Sequence, residues 1–180
     1  APSSSPSPVA YVATIDRVRE ITIAGKSDLS FWSRRLAEER LAPGDAGGHA
    51  ESLVTVTLGR WAGLAFREVI LAVRVSRDPG GDGSDRSAIY LAHAFNSSRF
   101  LAFMERTFFR TPYLPADVTC ETPSLRGFRV TEGPRTVLAA ELPVGACRIA
   151  ADPELWEGPI FLTGGRERFF ARLSGVTETF

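Results

Sequence analysis

Lysine is almost missing from this chain of 180 residues: Lys26 is the only one among 21 basic side chains, and the others are arginine. Covalent chemistry through an amine would have to use Lys26, which stands between a strand-like stretch and a helix start, or the chain terminus. The skew toward arginine matches a GC-rich, bacterial genome, and selection for carboxylate recognition is the sharper alternative. Cysteine is scarce too. Cys120 and Cys147 lie far apart in apolar, strand-like contexts, and neither has metal-ligand spacing to His49 or His93. They read as free thiols in a reducing, cytoplasmic setting, and no metal or other cofactor is expected.

Charge of one sign is not in excess either. The 21 basic residues are matched by 21 acidic ones, which gives no footprint for nucleic acid and makes small organic ligands the expected partners. No apolar run reaches the roughly 18 residues that a membrane-spanning helix needs, so no membrane partner is expected. Familiar catalytic signatures are missing as well: there is no Gly-x-Ser-x-Gly elbow, phosphate loop, dinucleotide fingerprint or His-Glu-x-x-His helix.

The hydrophobic content of 44% is enough for one core, and the length is too short for two full-sized domains. Residues 1–8, APSSSPSP, read as a disordered tail, and residues 9–180 as a single domain. Strands are expected at Val9–Ile15, Val18–Ala24, Ser52–Leu58, Phe66–Val75 and Ser87–Phe95. Shorter ones follow at Ala116–Glu121, Gly127–Thr131, Thr136–Leu142, Pro159–Leu162 and Arg168–Leu173. Gly59 to Gly63 reads as a turn, Asp78 to Asp85 as a hairpin loop without the ligand spacing of a calcium site, and Gly164 to Glu167 as another turn.

Two helices interrupt the strands. The first is capped by Ser27 or Asp28, carries Leu29, Trp32, Leu36 and Leu41 on one face, and stops at Pro43-Gly44. The second runs from about Arg99 to Phe109 behind cap candidates Asn96, Ser97 and Ser98. Its apolar residues Phe100, Leu101, Phe103, Met104, Phe108 and Phe109 form a face wide enough to predict burial. Many short strands with two helices predict a mainly β (α+β) fold, an antiparallel barrel or sandwich.

The stretch from Ala65 to Glu121 resembles the central segment of the acetoacetate decarboxylase superfamily. Phe66-Arg67-Glu68-Val69 enters a strand, a second strand and a helix follow, and the helix ends in Arg110-Thr-Pro-Tyr113. The resemblance implies a closed or partly open, cone-like barrel with one helix buried as a plug. It also implies that a lysine forming a Schiff base would stand where this chain has Tyr113, so iminium chemistry is lost. Longer members continue further than Phe180, which leaves open a compact variant or a missing C-terminal part, the latter with a strand edge needing a partner and room for a homo-oligomer.

Glu68 corresponds to a pocket glutamate of that superfamily. Desolvation in a barrel would make it a general acid or base, and a salt bridge to Arg67, Arg74 or another strand arginine is the plainer alternative. The Tyr113 hydroxyl would donate to a carbonyl or shuttle a proton if Arg99 or Arg110 lowered its pKa; otherwise it is a core aromatic. His93, Asn96 and Arg99 form a third group, with His93 as acid–base residue and Asn96 or the helix N-terminus holding an oxyanion, or His93 as a structural hydrogen-bonding residue. Alternation places Tyr90, Ala92 and Ala94 on one face, with Leu91 and His93 on the other. Glu105 lies where the resembling segment carries a Gly-Arg-Glu run and is expected to pair with Arg106, Arg110 or another arginine.

Together these residues predict a small-molecule lyase or isomerase with Glu68, Tyr113 and His93 catalytic and Arg99, Arg110, Asn96 and Glu105 binding substrate. It would carry out acid–base chemistry beside a carbonyl of a keto-acid or polyketide-like compound: dehydration, isomerisation, cyclisation or non-covalent decarboxylation. The alternatives are a non-catalytic barrel enclosing a small apolar ligand and an interaction module, which would expose the aromatic helix face.

Overall fold

Runs of β-branched residues alternating with polar ones fold here into long strands, with turn residues setting their ends. A computed structural model describes residues 16–45, 47–76, 88–121, 127–141, 150–163 and 168–179, giving only the backbone course for 16–17, 150–157 and 168–179. The expected tail at residues 1–8, the strand at Val9–Ile15, the loop at Asp78–Asp85, the turn at Gly164–Glu167 and Cys147 lie outside the described residues.

The elements in chain order are β1 (Asp16–Asp28), α1 (Leu29–Ala37), β2 (Ala42–Pro43), β3 (His49–Trp61), β4 (Leu64–Ser76), β5 (Ile89–Asn96), α2 (Arg99–Phe108), β6 (Tyr113–Pro115), β7 (Asp117–Cys120), β8 (Gly127–Glu132), β9 (Arg135–Glu141), β10 (Ala150–Phe161) and β11 (Arg168–Thr179). The main sheet runs β1-β3-β4-β5-β10-β11, with β2 added to β4 and β6 to β5, and it curls into a half-barrel. Strands β7, β8 and β9 form a second, antiparallel sheet.

The expected mainly β architecture with two helices is present. Two finer expectations need correction. The main sheet is not wholly antiparallel, because β5 pairs parallel with β6 at one end and with β10 at the other. Nor is the second helix a buried plug: α2 buries only Leu101 and Ala102, while Phe100, Phe103 and Phe108 are 52%, 59% and 64% exposed. Its wide apolar face exceeds the narrow stripe that the sheet can cover.

The β3–β4 hairpin turns at Ala62 and Gly63, both with positive φ (47° and 85°), and the pair Trp61↔Leu64 closes it. Two consecutive residues of this kind define the tight turn whose twist matches the strands. The ladder therefore continues past the expected turn start at Gly59.

Helix α1 begins where Asp28 Oδ1 accepts from the Phe31 N–H at 2.8 Å. It ends earlier than expected, because Arg40 adopts φ 56° while Arg40 N–H donates to the Ala37 carbonyl and Leu41 N–H to the Leu36 carbonyl. That is the Schellman arrangement, and it folds Leu41 back onto Leu36 in one buried cluster.

The two faces of the main sheet carry different cores. One face packs Val56, Val69 and Phe95 against Val118, Phe128 and Val130 of the small sheet, and further along packs Val73, Val75 and Tyr90 against Leu36 of α1. The other gathers Leu91, Ala94, Ala102, Tyr113 and Leu162, with Ile70 beside them. A bulge at Ala92 links these patterns: Leu71 pairs with His93 but Ala72 pairs with Leu91, so parity switches along β5.

Candidate functional site

Four strands bring one row of polar residues into register on the sheet face that holds Tyr113. Glu20 of β1 pairs with Thr57 of β3, Thr57 with Glu68 of β4, and Glu68 with Asn96 of β5. Side chains opposite one another in a sheet share a face. Thr57 Oγ1 donates to Glu20 Oε2 at 3.0 Å, and Asn96 Nδ2 donates to Glu68 Oε2 at 3.1 Å. The row runs from exposed Glu20 at the edge to Asn96, which is 2% exposed.

Tyr113 enters the row from β6, where it pairs with Ala94, and its hydroxyl is near enough to the Glu68 carboxylate to lower that group's pKa. The turn that delivers it is held back against α2. Arg110 takes φ 54°, and Thr111 returns both groups to Glu105: its N–H to the Glu105 carbonyl at 3.3 Å and its hydroxyl to Glu105 Oε2 at 3.3 Å. Pro112 then fixes the extended entry to β6.

Burial is the largest influence on Glu68 and lifts its carboxyl from 4.5 to about 7. The hydrogen bond from Tyr113 opposes the rise, the charge of Glu105 adds to it, and smaller contributions come from Asn96 and Glu20. Glu68 is only half-buried by surface area. Dense surroundings and residual access thus coexist, leaving an acid that titrates near neutrality within reach of solvent. Burial also raises the Tyr113 hydroxyl well above 10, and the neighbouring Glu68 charge adds to this. Glu105 is raised as well, by burial first.

Among the described residues, the groups that shift Glu68 and Tyr113 include no cation. Arg74, one anticipated partner of Glu68, binds Glu51 at 2.7 Å instead, and Arg67 is exposed, with its charge acting on Cys120. The expectation that Arg99 or Arg110 lowers the Tyr113 pKa is overturned, since the phenol is surrounded by carboxylates.

Of the residues singled out from sequence, Glu68, Tyr113, Asn96 and Glu105 lie in this one network. The Asn96 amide has a partner at each end, Nδ2 donating to Glu68 and Oδ1 accepting from the Ser98 N–H at 2.8 Å, so it positions Glu68. Glu105 bonds Thr111 in place of an arginine. His93 is elsewhere: it is exposed on the opposite face, stacked on Phe95 with centroids 6.3 Å apart. Plain alternation back from Asn96 puts His93 on that other face, and the Ala92 bulge changes only the residues before it, bringing Tyr90 to the His93 face and Leu91 to the Ala94 face. Arg99 and Arg110 are exposed on α2 and the turn after it.

Glu20, Thr57 and Thr111 were not singled out. Glu20 and Thr57 resemble the ordinary solvent-facing half of an alternating strand, and only the register shows that they continue the row from Glu68. Three carboxylates notwithstanding, no group of metal-holding side chains occurs among the described residues. An open depression lined by Asp28, Ser30, Arg34 and His49 at the start of α1 includes none of the row's residues. No helix among the described residues is long and apolar enough to cross a membrane.

Comparison with protein-family models, curated proteins and solved structures yields no match to this chain.

Proposed function

We propose that the chain is a small-molecule enzyme that moves a proton beside a carbonyl, with Glu68 as the acid–base group and Tyr113 as the donor to the carbonyl oxygen. The observation that carries this reading is the convergence, on one sheet face, of a partly buried carboxyl raised to about 7 and a buried phenol that acts on it and is itself held protonated. General acid–base groups work best with a pKa near the operating pH. The acetoacetate decarboxylase resemblance supports it from a different side, since it puts a reactive lysine where Tyr113 stands.

In this reading a substrate oxygen takes the Tyr113 hydroxyl over from Glu68. Glu68 loses a bond that holds its pKa down, and becomes a stronger base as the substrate binds. Its carboxylate then removes a proton from the carbon next to the carbonyl, while the Tyr113 hydroxyl stabilises charge developing on oxygen. The surrounding glutamates disfavour an anionic substrate, so a neutral ketone, ester or thioester fits better than a free keto-acid.

Proton exchange at that carbon is the step common to isomerisation, dehydration and cyclisation. The test is NMR of a panel of neutral carbonyl compounds with the protein in deuterium oxide. Catalysed deuterium uptake should fall by about 10²-fold or more in Glu68→Gln. A compound that binds without exchange identifies a non-catalytic ligand-binding barrel instead.

A further inference from the structure

The outward face of α2 combines aromatic and cationic side chains and carries no free acid. Phe100, Phe103 and Thr107 follow one helical stripe, and Phe108 stands one turn beyond Met104 beside it. Arg99 and Arg106, seven residues apart, run along the flank; both are exposed, and neither has an ion-pair partner among the described residues. The single acid of the helix, Glu105, is half-buried and bonded to Thr111. Nothing in the sheet core requires these rings, because Leu101 and Ala102 alone are buried from this helix.

We propose that this ridge is a docking surface for an anionic lipid bilayer, with the three phenylalanine rings entering the interfacial region and Arg99 and Arg106 meeting lipid phosphates. Phenylalanine on one sector of a helix with arginine beside it is the pattern of interfacial helices. Area and charge argue against the other occupants. At the observed exposures the rings offer roughly 350 Å² of apolar surface, less than half of the ~800 Å² per partner of a stable protein interface. A second copy packed through α2 would set arginines against arginines with no carboxylate to neutralise them. A bilayer needs no matching groove, receives a convex ridge, and supplies the missing negative charge.

The test is co-sedimentation of the full chain with phosphatidylcholine vesicles, with and without phosphatidylglycerol, at low and high salt. Binding is expected only with phosphatidylglycerol, weakening as salt rises. Phe100→Ser with Phe103→Ser, and separately Arg99→Gln with Arg106→Gln, should each lower the bound fraction by roughly tenfold. All four positions are exposed, so unchanged circular dichroism should accompany the loss. No sedimentation of the wild type, or equal binding by both double variants, overturns the proposal. So does a wild-type dimer, seen by sedimentation velocity, that dissociates in the phenylalanine variant, since it would give the ridge to a second copy.

Discussion

The Tyr113 hydroxyl lowers the pKa of the Glu68 carboxyl although their strands, β6 and β4, do not pair; β5 lies between them and contributes the Asn96 donor to the same carboxylate. Two polar groups thus converge on one acid from two strands. A carboxyl held in this way, yet raised to about 7, has consequences for stability as well as chemistry.

Stability should fall as pH rises. Between 4.5 and about 7 the folded chain keeps a proton on Glu68 that the unfolded chain has released. The contribution is therefore complete below 4.5 and is lost as pH approaches 7, by about 3 kcal/mol. Glu105, raised as well, works in the same direction. Urea unfolding across this window should show the decline, and Glu68→Gln should flatten most of it.

Tyr113→Phe removes one donor and should move the Glu68 midpoint further upward, because that bond lowers its pKa. The cost to stability should be about 1–2 kcal/mol. Carboxyl carbon shifts across pH would report the midpoint, and chemical denaturation the cost.

Arg40 occupies the left-handed position at the end of α1 with φ 56°, where glycine is unstrained. Arg40→Gly should stabilise the protein by about 1 kcal/mol. Thermal unfolding measures it, and a lowered midpoint would show that the arginine side chain matters more than its backbone.

Leu36 is fully buried beneath this same turn, in contact with the Val73, Val75 and Tyr90 side of the sheet. Leu36→Ala should cost about 2–5 kcal/mol. A loss under 1 kcal/mol, read from denaturant midpoints, would mean that α1 is not docked as described.

Local signals were legible where they were chemically strong. Asp28 ahead of an amphipathic run marked the start of α1, and the alternation of Phe66 to Val75 marked β4. The resemblance of the Pro112-Tyr113 turn pointed to Glu68 and Tyr113 together. What the chain hides is register. The bulge at Ala92 has no distinctive residue, yet it moves Leu91 to the Ala94 face and Tyr90 to the other. The row Glu20, Thr57, Glu68, Asn96 exists only once four strands are aligned. Apolar breadth also misleads, since the phenylalanines of α2 read the same whether they plug a barrel or face outward.

The most direct test of the account is the pH titration of the Glu68 side-chain carboxyl in the folded protein, followed by its carbon chemical shift and assigned by its disappearance in Glu68→Gln. A midpoint of about 7 is predicted. A midpoint at the ordinary 4.5 would contradict it, leaving Glu68 a solvated strand residue with no acid–base role at neutral pH.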